Sequence, residues 1–252
     1  MNSQKDLTSY DAAYYDAGWD TQWDDMKKYG PMSRHIRRYI KKLIRPLKFK
    51  SVLDVGCGQG SLLQELMHEF PGIEPHGVDL SQSAADIAQR RVPHGTFGTL
   101  DLTQGTTGRT YDLLICSEVL EHIEEDMAAM RNLRRMCNPG GHLVVTTVQG
   151  RMRKFEPEGV GHVRNYQYGE LVAKLRDAGF DIVKDVSWGW PLFSPLYRNV
   201  LEVTSAKGTT GEFGGGRKFI ATAMYYAFFL NLPVWGDEIF VLARAGDGAT
   251  AK

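Results

Sequence analysis

The stretch Val52–Gly60, VLDVGCGQG, decides the fold. An apolar run carrying Asp54 enters three glycines at alternate positions, Gly56, Gly58 and Gly60, and a helical pattern begins at Ser61. Glycines let the chain turn sharply and let a ligand approach a helix N-terminus with no Cβ in the way. A nicotinamide or flavin fingerprint reads G-x-G-x-x-G. Here the third glycine comes one residue earlier and Asp54 sits two residues before the first, so the loop departs from a dinucleotide site.

Outward from that loop, the next apolar run, GVDLS, ends in Asp79, and the one after it, TLDL, carries Asp101. Acids at two successive strand ends beside a glycine loop mark one edge of a sheet as a binding crevice. The runs SVLDVGC, EPHGVDL, TFGTLDL, YDLLICS, GHLVVTTV, FDIVKDVSW and DEIFVLARA alternate with amphipathic stretches, and those between the first five are long enough for parallel crossovers. This pattern predicts an α/β fold: a doubly wound, seven-stranded, mostly parallel sheet of Rossmann-like type. Residues 1–50 read as an N-terminal helical lid and a basic amphipathic helix, 51–190 as the α/β core, 191–236 as a helical insertion that caps the sheet, and 237–252 as the last strand and tail.

With 252 residues, 42% hydrophobic and 24% charged, the chain can bury a core, which excludes long disorder. Thirty basic residues balance thirty acidic ones, so the whole molecule is no electrostatic trap for long nucleic acid. The three cysteines, Cys57, Cys116 and Cys137, form no C-x-x-C pair. That argues against a disulfide framework or a structural zinc site and for a reducing, cytoplasmic setting. The N-terminus is polar and acidic, with no apolar segment of a secretory signal.

Ile36, Tyr39, Ile40, Leu43, Ile44 and Leu47 recur at helical spacing, with Arg37, Arg38, Lys41, Lys42 and Arg45 on the other faces. The basic face is either a solvated surface or a docking surface for an anionic substrate or membrane. Upstream, Tyr10, Tyr14, Tyr15, Trp19, Trp23 and Tyr29 crowd an acidic segment, as a lid ordering over a bound cofactor or as simple packing. KGTTGEFGGGRK, Lys207–Lys218, reads as a flexible loop.

From Ser51 to Gly179 the chain resembles the class I S-adenosylmethionine-dependent methyltransferases: VLDVGCGQG, GVDLS, TLDL, CSEVLEHI and NPGGHLVVTT fall in that family's order. The resemblance implies that Asp54, Gly56, Gly58 and Gly60 surround the amino acid part of S-adenosylmethionine. It implies that Asp79 holds the ribose and that Asp101 with the Leu102 backbone meets the adenine, with Leu80 and Ser117 also in the cofactor pocket.

After YDLLICS come Glu118, Glu121 and His122, and later His162 in GHVRNY. Two carboxylates and two imidazoles at one sheet edge suit either of two tasks. They can bind Mg2+ or another divalent metal that acidifies a hydroxyl, or His122 or His162 can act as general base. The bland alternative is a cofactor-lining His122, a helix-capping acid and an exposed structural loop histidine. E-x-x-E-H with a later His resembles the metal site of small-RNA 3'-terminal 2'-O-methyltransferases, and E-x-x-E-H also resembles the ubiquinone-pathway O-methyltransferases.

The uncharged run Phe219–Trp235, FIATAMYYAFFLNLPVW, is interrupted by Asn231 and Pro233 and is too short to span a membrane. It reads as a buried cap helix, the apolar wall of a substrate pocket, or a peripheral membrane contact; a dimer face is equally open. SWGWPLFSPLYRN, Ser187–Asn199, falls where methyltransferases of this class build acceptor specificity and implies a large apolar pocket. Three functions follow. The first is methyl transfer to a small or lipid-like acceptor, foremost to a hydroxyl. The second is 2'-O-methylation of RNA through the metal set, which the neutral charge and apolar cap weigh against. The third is a non-catalytic cofactor-binding regulatory module.

Overall fold

β-branched runs that are buried on both faces can satisfy their backbone only by pairing, and here they pair into one seven-stranded sheet. In the computed structural model, which describes residues 11–21, 23–157, 161–205 and 209–246, the strands are β1 (Ser51–Val55), β2 (Glu74–Asp79), β3 (Thr96–Thr99), β4 (Tyr111–Ser117), β5 (Cys137–Val148), β6 (Phe180–Trp188) and β7 (Glu238–Ala245). Their order is β3-β2-β1-β4-β5-β7-β6. The first five pair in parallel, and β7 runs antiparallel to both β5 and β6. The strand order reverses between β1 and β4, which opens a crevice at their carboxyl ends.

Strand alternation divides the core in two. Val52, Leu113, Val144 and Phe240 face one side with α3 (Pro31–Ile44) and α4 (Ser61–Glu69). Leu53, Leu114, Leu143 and Val241 face the other with α6 (Asp126–Met136) and α7 (Glu170–Asp177). The remaining crossover helix, α5 (Gln82–Arg91), starts at Ser81, whose side chain accepts from the Ala84 amide at 3.0 Å.

The basic helix forms as the spacing predicts and buries Ile36, Tyr39, Ile40, Leu43 and Ile44; Leu47 lies past its end. One of its basic rows is neutralised by α4: Arg37 and Lys41 reach Glu65 at 2.7 and 2.5 Å, and Arg45 reaches Glu69 at 2.5 Å. Ahead of it, α1 (Ala12–Thr21) and α2 (Asp24–Tyr29) carry the aromatic segment, with Tyr10 outside the described residues.

Several expectations change. β3 stops at Thr99, so Asp101 lies beyond the strand, not at its end. After β6 come α8 (Arg198–Thr204) and α9 (Gly215–Ala227), so the last four residues of the expected glycine-rich loop are helical; Lys207 and Gly208 lie outside the described residues, as does the tail 247–252. α9 is not a buried cap helix. Of its residues only Ala221 is buried, while Phe219, Ile220 and Tyr226 are 76, 58 and 65% exposed. The uncharged run had no polar face to turn to water, so one apolar face stays outside. No helix among the described residues is long and apolar enough to cross a membrane.

Ile40 is fully buried between α3 and the sheet. Ile40→Ala is expected to cost about 2–5 kcal/mol in urea unfolding; a loss below about 1 kcal/mol would show that α3 rests on the sheet without supporting it.

Candidate active site

A cavity of about 810 Å³ runs along the carboxyl edge of the sheet. Its floor is the glycine loop and the ends of β1, β2 and β4; Tyr15, Trp19, Trp23 and Lys27 from α1, α2 and the segment between them roof it.

The three glycines have different tasks. All sit at positive φ, +73, +51 and +78° for Gly56, Gly58 and Gly60. A Cβ on Gly58 would stand 2.4 Å from the Trp19 ring, and one on Gly56 would stand 2.2 Å from Val119. Gly60 does not line the cavity; its Cα side approaches Ala88, where a Cβ would lie at 3.1 Å, so it brings α4 against α5. The loop is fixed by Asp79, whose carboxylate accepts from the amides of Gly58 at 2.8 Å and Ser81 at 3.0 Å. Burial pushes the Asp79 carboxyl up despite those amides. Asp54 is pushed up to about 8, by burial first and by Asp79 second.

Leu80, Leu102 and Ser117 also line this end. Asp101 does too, but it is exposed and its carboxylate accepts from the Thr103 amide and hydroxyl at 2.9 and 2.7 Å. The Leu102 carbonyl accepts from Asn132 at 2.8 Å. Cys57 and Cys116 are buried, with thiols raised well above the usual range by burial, so neither is a poised nucleophile.

Beyond β4 the chain turns through Glu118 at φ +57°, and a single 3-10 turn, Leu120–His122, follows. Glu121, His122 and His162 offer donor atoms within 4.8 Å of one another. Glu118 does not join them: its carboxylate accepts from Thr146 at 2.8 Å, while Glu121 accepts from Thr147 at 2.7 Å. His162 is no exposed loop residue. Its ring stands 4.9 Å from that of His122, and its amide donates to the Glu156 carbonyl at 3.1 Å. Burial holds His122 down to about 4 and His162 down to about 3, so both imidazoles are neutral near pH 7. The His122 Nδ1 lies 3.0 Å from the Gly161 carbonyl oxygen, which only an N–H can satisfy; Nε2 therefore carries the lone pair.

The sequence reading missed Glu238, Glu156 and Arg198, all nearly fully buried and all lining the cavity. Glu238 is the first residue of β7, and because β7 is antiparallel its start lies at the carboxyl edge of the parallel strands. An acid opening the apolar run Ile239–Ala243 of the last strand was the available signal. Burial first, and then Glu118, push the Glu238 carboxyl well up. Arg198 pairs with Glu156 and, at 2.7 Å, with Asp237. Past this cluster the wall turns apolar, with Ile36, Phe193, Tyr197, Phe213, Ala221 and Met224. Of the aromatic stretch assigned to the acceptor, Phe193 and Tyr197 face the cavity, Trp188 is buried and Trp190 is 40% exposed.

Asp54 titrates near 8 when folded, against an ordinary value of 3.8. Between these the folded chain holds a proton that the unfolded chain has lost, so stability falls as pH rises through this window and levels off above it. Urea midpoints of the ligand-free protein should therefore decline with pH more steeply than those of Asp54→Asn; parallel profiles would show that Asp54 is not the group held protonated.

Residues 28–185 match the model of the methyltransferase domain. Among curated proteins the chain is 26% identical over 156 residues to the ubiquinone biosynthesis O-methyltransferase of Alkalilimnicola ehrlichii, covering 58% of this chain and 62% of that one. It is 28% identical over 181 residues to the ubiquinone biosynthesis O-methyltransferase of Azorhizobium caulinodans, covering 62% and 68%. The chain spans about three fifths of the length of the first curated relatives it matches. Among solved structures, the N-methyltransferase NodS of Bradyrhizobium japonicum in complex with S-adenosyl-l-homocysteine superposes with a TM-score of 0.61 at 17% identity, covering 93% of this chain and 97% of that one. The likeness to that structure establishes the fold. The glycine loop, the sheet order and the family match agree, and the chain belongs to the methyltransferase domain family.

Proposed function

We propose that the protein transfers the methyl group of S-adenosylmethionine to a hydroxyl of a small, lipid-like acceptor. What carries this reading is one continuous cavity with the glycine loop and two buried acids at one end, two neutral imidazoles between, and an apolar wall at the other. The relatives named as ubiquinone biosynthesis O-methyltransferases support an oxygen acceptor.

S-adenosylmethionine, when bound, supplies a methyl already activated by its sulfonium, so the chain's own contribution is alignment, exclusion of water and removal of one proton. The residues fit such a ligand. Asp54 and Asp79 are buried carboxyls raised by desolvation, and a ligand bearing an ammonium and a sulfonium offsets that cost. In this reading Asp54, Gly56 and Gly58 receive the amino acid part, Asp79 and Leu80 the ribose, and Asp101, Leu102 and Ser117 the rest of the cofactor. Trp19, packed over Gly58, and Trp23 act as a lid, and residues 191–236 act as the acceptor cap.

His122 is the base of this reading. Its Nδ1–H is fixed on Gly161, so Nε2 can accept the hydroxyl proton while the oxygen takes the methyl. A second reading rests on the donor set: Glu121, His122 and His162 are of the right kinds to hold a divalent ion, which would lower the pKa of the hydroxyl. The neutral net charge and the apolar residues of the cavity wall weigh against the RNA reading, and the row of α3 facing α4 is already paired with Glu65 and Glu69. Three buried, unbridged cysteines accord with a cytoplasmic setting.

Three measurements test this. Methyl-labelled cofactor given with a fractionated cell extract should label the organic-soluble fraction; label in a nuclease-sensitive fraction would favour RNA, and no label at all would favour a binding module. Turnover should survive EDTA, whereas loss restored by magnesium would move the proton chemistry to a metal. His122→Ala should lower kcat by about 10²-fold or more with cofactor binding retained.

A further inference from the structure

The insertion after β6 leaves a large apolar surface outside the cavity. Phe219, Tyr226, Leu230, Val234 and Trp235 are 76, 65, 68, 74 and 57% exposed, and no charged residue occurs from Phe219 to Gly236. Ring contacts join it in two pairs: Tyr226 with Phe229 at 6.4 Å, and Trp235 with Trp190 at 6.3 Å. Leu232 is tied beside them by its amide, which donates to the Trp190 carbonyl at 2.7 Å. Soluble chains rarely leave such a patch without a use.

What borders it identifies the occupant. α3 carries two basic rows. Arg37, Lys41 and Arg45 are ion-paired with α4, whereas Arg34, Arg38 and Lys42 have no carboxylate partner among the described residues. This second row runs along the aromatic surface, with the Arg34 guanidinium 3.6 Å over Tyr225 and that of Arg38 4.4 Å over Phe229. Tryptophan and tyrosine rings beside unpaired cations match a bilayer interface, where rings sit at headgroup depth and cations meet lipid phosphates. A self-complementary contact between two copies would bring such a cation row towards its own copy, which weighs against a dimer face.

We propose that this surface, α9 with the segment 228–235 and the Arg34, Arg38, Lys42 row, docks the protein on an anionic lipid bilayer. The opposite side of α9 lines the cavity through Ala221 and Met224, so docking sets the acceptor end of the cavity beside the membrane. Binding is read without any acceptor, so this proposal fails or stands apart from the proposed reaction.

The test is flotation of the full chain with phosphatidylcholine vesicles, with and without about one third phosphatidylglycerol. Binding to the anionic vesicles should exceed binding to the neutral ones by about tenfold and weaken with salt. Leu230→Glu with Val234→Glu should remove it, and Arg34→Gln, Arg38→Gln and Lys42→Gln together should remove the anionic preference, both with S-adenosylhomocysteine binding retained. As a check independent of those variants, brominated acyl chains should quench tryptophan fluorescence, and less so in Trp235→Tyr. Absence of wild-type flotation would overturn the proposal. So would flotation unchanged by the Glu pair, or a concentration-dependent dimer that the Glu pair dissociates in a protein that does not float.

Discussion

The carboxylate of Asp79, accepting from the amides of Gly58 and Ser81, is the constraint on which the site depends. It joins the end of β2 to the loop leaving β1, and so sets two parallel strands and the N-termini of two helices around one crevice. Only glycine tolerates the backbone this requires at Gly58, where φ is +51° and the Trp19 ring lies where a side chain would be. The same interaction leaves a carboxylate buried beside Asp54, and that pair makes the ligand-free crevice electrostatically costly. A cationic ligand relieves the cost, which links a feature of the fold to the choice of cofactor.

The antiparallel β7 provides the second half of the site. Reversing the last strand puts Glu238 at the edge where β1, β4 and β5 end, and puts the long insertion before it at the same edge. Residues from both ends of the sheet's chain order therefore meet: Glu118 and Glu121 after β4, His162 after β5, Arg198 after β6 and Glu238 at the start of β7. The parallel half holds the glycine loop and its acids, and the reversed half brings Glu238 and the insertion before it to the same cavity.

The parallel half was legible in the sequence because its signals are local. Short apolar runs that end in or beside an acid fix β1, β2 and β4, and the 3.6-residue spacing from Ile36 to Ile44 fixes α3. That Glu121, His122 and His162 approach one another was legible from the strands they follow, but the place of Glu118 was not: its carboxylate accepts from Thr146 through tertiary packing that no spacing encodes. Gly60 looked like a ligand residue because it shares the spacing of Gly56 and Gly58, yet its partner, Ala88, lies on another helix. Glu238 was missed because its place depends on strand direction, which one strand's own pattern does not carry.

The charge-free run from Phe219 to Trp235 shows the same limit from the other side. Periodicity distinguishes a buried face from a wet one by polar residues, and a run with none gives no orientation. Burial then follows from what is available to pack against. α9 reaches α3 and the cavity with one side, through Ala221 and Met224, and through Tyr225, whose carbonyl lies 2.8 Å from the His35 Nε2. No further layer of the described chain covers its other side, so Phe219 and Tyr226 stay exposed there. The cations along its border, Arg34 over Tyr225 and Arg38 over Phe229, are what give the proposed docking surface its preference for an anionic partner.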